Sequence, residues 1–173
     1  MTQTDHTAAA DHLFTPENFN VNSLQDEIRL NDLIDRLLKL FYLDLIEQQS
    51  QSPEEASEKA YAASYFLKDF VIDHCRENIF HLRLNRVRQF AGNWYIVRNL
   101  EPNMVELASL LQGIQAFYRY LATAGQISAE LAAAIDKDCE NLDYYRERIE
   151  SFWAIEKDGF FSWEAACPLK DNP

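Results

Sequence analysis

Between residues 103 and 155, apolar positions recur at steps of three and four along two consecutive stretches. Asn103 can cap the first, with Glu106 three residues on completing a capping box. Leu107, Leu110, Leu111, Ile114, Phe117 and Leu121 then fall on one helical face. Gly125 is a natural left-handed stop and Ser128 a natural cap. After it, Leu131, Ile135, Cys139, Leu142, Tyr145, Ile149 and Phe152 make a matching stripe. The pattern predicts two antiparallel helices, 103–124 and 129–155, buried against each other and against a further layer.

Two earlier stretches carry the same period. Ser23 can cap a helix over 24–49, in which Ile28, Leu33, Leu37, Leu38, Phe41, Leu45 and Ile46 form a face that Leu30, Leu40 and Leu43 widen. An apolar face this broad belongs to a central helix or to a partner contact, and it motivates the expectation of a homodimer. Ser52-Pro53-Glu54-Glu55 is a strong start signal: a cap, a proline where its missing N–H costs nothing, and acids at the positive end of the helix dipole. That helix is expected over 53–76.

Residues 77–100 break the pattern. Phe80, Leu82 and Leu84 alternate with His81, Arg83 and Asn85, the period of a strand, and Gly92-Asn93 could turn a hairpin into β-favouring Trp94, Tyr95, Ile96 and Val97. Leu84, Val87 and Phe90 also fit a helix. The reading adopted is helix to Phe90 followed by an irregular or short extended piece, because no other strand exists to pair with and an isolated hairpin is marginal; the short β-hairpin is the alternative. Residues 1–20 lack periodicity and are read as a mobile N-terminal tail, which Phe14 and Phe19 could still anchor. Phe160, Phe161 and Trp163, after the Asp158-Gly159 turn, are expected to fold back as a lid. The fold class expected is mainly α: a single-domain bundle of about five or six helices over 21–165, with a C-terminal tail from 166 to 173.

Composition agrees. The 173 residues are 47% hydrophobic and 13% aromatic with only four glycines, which suits a helical core better than a turn-rich β fold. Cys75, Cys139 and Cys167 are odd in number and form no Cys-x-x-Cys pair, so no zinc ribbon or disulfide framework is readable. With no signal-like start and no membrane-length apolar run, the expected setting is soluble and cytoplasmic, with reduced thiols.

The net charge of −12 repels phosphate backbones and argues against nucleic acid. Residues 76–100 run against that trend, with five arginines and one acid for a charge of +4, which leaves −16 for the rest of the chain. Arginine is the better fork for carboxylates, so Arg83, Arg86 and Arg88, with Trp94 and Tyr95 as stacking surfaces, are the candidate partner-binding residues. The competing reading pairs these arginines with acids of the bundle itself. A second candidate is the row Asp69, Asp73, Glu77 and His81 at steps of four. On a continuous helix these would share a face, and Asp73, Glu77 and His81 could hold a metal; a solvated charged face is the favoured reading of that row.

No glycine-rich phosphate loop, nucleophile elbow or His-Glu-x-x-His is present, and no cofactor is called for. The function expected is a non-enzymatic interaction module that self-associates and presents its arginine-rich segment to an acidic partner. The alternative is a metal- or small-ligand-binding enzyme with its site between bundle helices.

Overall fold

In the computed structural model, which describes residues 13 to 170, the chain is helix and loop, with no strand among the described residues. A 3-10 turn, Pro16–Phe19, precedes seven helices. Helix α1 spans Leu24–Glu47. Helix α2 is an α-helix over Pro53–Tyr65 that continues as a π-helix over Phe66–Cys75. Helix α3 runs as α over Arg86–Gln89, π over Phe90–Trp94 and α again over Tyr95–Arg98. Then come α4, Met104–Thr123; α5, Ala129–Glu140; α6, Leu142–Trp153; and α7, Phe160–Ala165.

The local start signals operate as the sequence implies. Ser23 and Asp26 close one capping box and Ser52 and Glu55 another, each pair satisfying two orphan helix donors. Ser128 caps α5 through the Leu131 N–H at 3.1 Å, and Gly125 turns the chain at φ 71°. Asn103 caps α4, but Glu106 does not reach back to it: its carboxylate accepts the Tyr95 hydroxyl at 2.7 Å, and the Asn103 N–H donates to that hydroxyl at 3.2 Å. Tyr95 thereby locks the start of α4 to α3.

The less regular segment expected over 77–100, with helix to Phe90 and an extended piece or hairpin beyond, has the reverse order: its first part is loop and its second, Arg86–Arg98, a helix in the middle of the molecule. A loop over 76–85 leads into α3, in which every residue from Gln89 to Ile96 is buried. A helix enclosed on all sides has no polar face, so its sequence shows no 3.6-residue period. Gly92 is not a turn; a Cβ there would lie 3.1 Å from the Cys167 Sγ and 3.3 Å from the Tyr144 ring. The glycine lets α6 and the C-terminal segment close on α3.

The π stretches of α2 and α3 face each other through one aromatic cluster. The Phe90 ring lies 5.1 Å from Phe66 and 5.5 Å from Phe70, and Trp94 lies 5.4 Å from Phe70. The helix expected over 129–155 breaks at Asn141, whose backbone (φ −81°, ψ 50°) leaves the helical region. The break lets the buried Tyr145 hydroxyl donate to the Asp138 carbonyl at 2.6 Å and turns α6 towards α3.

Both ends of the described chain pack against the body. Phe19 is fully buried with its ring 4.9 Å from Phe80, and the Asn78 amide donates to the Pro16 carbonyl and the Asn20 side chain at 2.8 Å, so the described part of 1–20 belongs to the body. His6 and His12 lie outside the described residues. At the other end, Gln89 and Asn93 bind the carbonyls of Pro168 and Cys167 at 2.9 and 2.8 Å. Trp163 is buried as the lid reading expects, exchanging hydrogen bonds with Arg148, while Phe161 stays exposed. No helix among the described residues is long and apolar enough to cross a membrane.

Candidate functional site

The five residues expected to meet a partner do not form one surface. Arg83 and Arg86 converge on Glu77, their Nε atoms 3.2 and 3.1 Å from its Oε1. Arg86 also donates to Gln89 at 2.6 Å and is 6% exposed. Trp94 and Tyr95, at 4% and 0% exposure, are core residues and offer no stacking platform. Arg88 is exposed but turns the other way, its guanidinium 5.2 Å above the Tyr144 ring. Arg98 lies 5.0 Å above Trp94 on the α2 side of α3.

The acidic row comes apart for a backbone reason. Arg76 is left-handed at φ 55° and ends α2, so Glu77 and His81 leave the helix that carries Asp69 and Asp73. Glu77 turns to Arg83 and Arg86, and His81 is exposed in the loop. Among the described residues, no group of three or more His, Cys, Asp or Glu could hold a metal. Asp69 and His74 remain in unusual surroundings. Burial and then Asp73 push the Asp69 carboxyl up, while burial and then Arg98 push the His74 imidazole down. No hydrogen bond joins the two side chains.

A different place gathers free polar groups. A cleft of about 860 Å³ opens between the end of α1, the start of α2 and the outer stripe of α4. Asp44 comes from the last turn of α1, Gln48, Gln49 and Gln51 from the connection that follows it, and Lys59 from α2. Gln112, Gln115, Ala116, Arg119, Tyr120 and Thr123 line it from α4, at steps of three and four that place them on one face. Two local features fix its shape. The short connection, with Ser50 left-handed at φ 54°, sets α1 and α2 antiparallel. Gly113 brings α4 against α2 so closely that a Cβ there would sit 2.4 Å from the Ala62 Cβ and 2.8 Å from the Lys59 carbonyl oxygen.

The walls are braced and the centre is not. Arg119 donates to Asp136 at 2.9 Å, and Gln115 donates to Asp136 and Glu140 at 3.1 Å each, tying α4 to α5. Lys59 donates to Gln51 at 2.8 Å and Gln49 to Asp44 at 3.0 Å. Tyr120 rests its ring on Phe41, 5.6 Å between centroids. Burial and then Asp44 push its hydroxyl up, so it is a neutral donor and acceptor. Among the described residues, the side chains of Gln48, Gln112, Tyr120 and Thr123 make no hydrogen bond.

No family model, curated protein or solved structure matches this chain. The chemistry of the cleft therefore rests on its own lining. That lining holds no histidine, cysteine or serine, and its charged groups, Asp44, Lys59 and Arg119, are each hydrogen-bonded to a neighbour. What it holds is amides and hydroxyls, which recognise by hydrogen bonding. In the sequence, Gln48, Gln49 and Gln51 mark only a polar connection after α1, and Gln112 and Gln115 only the polar side of α4. The signal was a concentration of amides at two points that only the fold brings together.

Proposed function

We propose that the chain is a non-enzymatic interaction module that binds a polar ligand in the cleft between α1, α2 and α4. The observation that carries this reading is a cleft between three helices whose lining includes Gln48, Gln112, Tyr120 and Thr123, side chains with no hydrogen bond to another described residue. The volume lies within the roughly 300–1,000 Å³ of small-molecule sites. The reading keeps the interaction role expected from the sequence and moves it to a site between helices. It does not depend on an acidic partner, because Arg83 and Arg86 already answer Glu77. Nor does it depend on a homodimer: of the α1 face that motivated one, Leu30, Leu37, Phe41 and Leu45 are fully buried in this chain, while Ile28 and Leu43 stay exposed. A reducing, cytoplasmic setting suits its three free cysteines.

The test is a screen of small polar fragments followed by backbone and side-chain amide NMR. Binders should shift the signals of Gln48, Gln112, Ala116 and Tyr120. Binders that shift only the loop around Arg83 and the start of α3 would overturn the reading and restore the arginine-rich segment.

A further inference from the structure

We infer that residues 166–170, which follow α7, are a strap that swings off α3 while the rest of the molecule stays folded, and that Cys167 is the thiol this opening presents to solvent. The inference is independent of the cleft between α1, α2 and α4.

The first argument is how the segment is attached. From Ala165 to Lys170 only Cys167 is buried, with Leu169 half-buried and the rest exposed. The Cys167 thiol donates to the Arg88 carbonyl at 3.7 Å, and its sulfur occupies the room left by Gly92, 3.1 Å from where a Cβ would stand. The remaining fixings are side-chain amides on one face of α3: Asn93 donates to the Cys167 carbonyl at 2.8 Å and Gln89 to the Pro168 carbonyl at 2.9 Å. A segment with one small buried side chain and a few hydrogen bonds opens at a free energy well below that of global unfolding. Trp163, buried in α7 with its ring 5.1 Å from Phe152, stays behind as the hinge post.

The second argument is the chemistry of the seat beneath the strap. Elsewhere α3 is packed by rings such as Phe66 and Phe70, but here it presents Gln89 and Asn93, 4% and 1% exposed. Water accepts the same amide hydrogens as the strap carbonyls, so opening leaves neither donor unsatisfied and costs only the small net worth of each bond. Surfaces that come apart within a chain are polar in this way.

The third argument is Arg148. It is buried, donates through Nε to the Gly92 carbonyl and through Nη1 to the Trp163 carbonyl, and its Nη2 has no acceptor among the described residues. Burial lowers its proton affinity, and Cys167 is the foremost of the neighbouring groups acting on it. A buried guanidinium with an unsatisfied nitrogen raises the energy of the closed state. Departure of Cys167 from Gly92 admits water beside it.

The experiment uses the full chain and Ellman's reagent under native conditions, with mass spectrometry assigning each labelled cysteine. The thiolate attacks the reagent's disulfide, a mixed disulfide forms on the protein and thionitrobenzoate leaves. Cys139, 5% exposed within α5, is the internal control for global opening. The inference predicts that Cys167 reacts at least about tenfold faster than Cys139, and that low urea accelerates Cys139 more steeply than Cys167. Asn93→Leu removes one strap hydrogen bond at similar volume and should speed Cys167 by about three- to tenfold with Cys139 unchanged. Pro168→Gly, at an exposed position, loosens the strap without touching the seat and should speed Cys167 by about two- to fivefold. Equal rates and equal urea dependence for the two cysteines would overturn the inference, since the segment would then leave only with the whole fold. A fast Cys167 that neither variant accelerates would overturn it too, because the reagent would be arriving by another route.

Discussion

Single side chains set the geometry, and two of them show how. Gly113 is required by proximity: a methyl group there has no room against Ala62 and the Lys59 carbonyl. Alanine ordinarily stabilises a helix interior by about 1 kcal/mol over glycine. Gly113→Ala should nevertheless destabilise the protein by about 1–3 kcal/mol, the cost of overpacking, because the obstacle includes backbone. Urea unfolding checks it, and a stabilised variant would mean that α2 and α4 are not so close. Glu77 is the shared acceptor of Arg83 and Arg86, in a pair where the Arg86 side chain is 7% exposed and that of Glu77 14%. Glu77→Ala takes from a buried guanidinium its carboxylate, and the expected loss is about 3 kcal/mol, the lower end for breaking a buried pair. A change under about 0.5 kcal/mol would place the pair in solvent. Caps such as Ser23, Ser52, Asn103 and Ser128 were legible beforehand because their partners lie three residues away in sequence. Arg148 was not. It is 6% exposed, donates to the Gly92 and Trp163 carbonyls at 2.8 Å each and has no carboxylate partner among the described residues; nothing local in the sequence marks such a residue.

Among the elements, those with one wet face were the readable ones. Helices α1, α2 and α4 each turn a polar stripe outward, so their period survives in the sequence, and their expected bounds were off by one to a few residues. Helix α3 is the counter-example: enclosed by α2, α5 and α6, it lost the alternation that would have announced it, and its aromatics imitated a strand. The break at Asn141 also escaped notice, since the apolar spacing continues across it and only the Tyr145–Asp138 bond needs it. The π stretch of α2 has a pH signature. Its His74 ring stacks on Phe70 at 5.7 Å, with Arg98 and Arg86 lowering and Asp73 raising its proton affinity; burial is the largest cause and the net shift is below the ordinary 6.5. The unfolded chain therefore binds the proton more tightly. The stabilisation is fully present above the ordinary value and is lost as pH falls through the folded one. His74→Phe keeps the stack and removes the proton site, so its melting temperature should fall less than that of the native protein between about pH 7 and pH 5. Equal falls would show that His74 titrates as it does in the unfolded chain.

At the scale of the whole molecule, the net charge is −12, and of the arginines that oppose it Arg86 is buried on Glu77 while Arg76, Arg83, Arg88 and Arg98 are exposed and lie against Glu27, Glu77, Tyr144 and Trp94 respectively. The +4 segment stood out in the sequence because charge is additive and visible there. Its use was not visible, because Glu77, Tyr144 and Trp94 become its partners only through the fold. The cleft was hidden for the complementary reason: Gln48 and Gln112 are 64 positions apart, and uncharged amides leave no trace in periodicity or net charge. With most of the α1 face buried inside the chain, sedimentation equilibrium at tens of micromolar should fit the monomer mass of 20.2 kDa. A dimer mass would point to apolar residues left exposed, such as Ile28, Leu43, Leu100 and Val105. The central claim is that this molecule works by binding in the α1–α2–α4 cleft, and the most direct measurement of it is the affinity of an Ala116→Trp variant. Ala116 lines the cleft beside Gln112, Arg119 and Tyr120, and an indole there obstructs the space these side chains share. Calorimetric titration with the fragments that shift Gln48 and Gln112 in the native protein should show their binding reduced by at least about tenfold, with the melting temperature little changed. Undiminished binding by a folded Ala116→Trp protein would contradict the account.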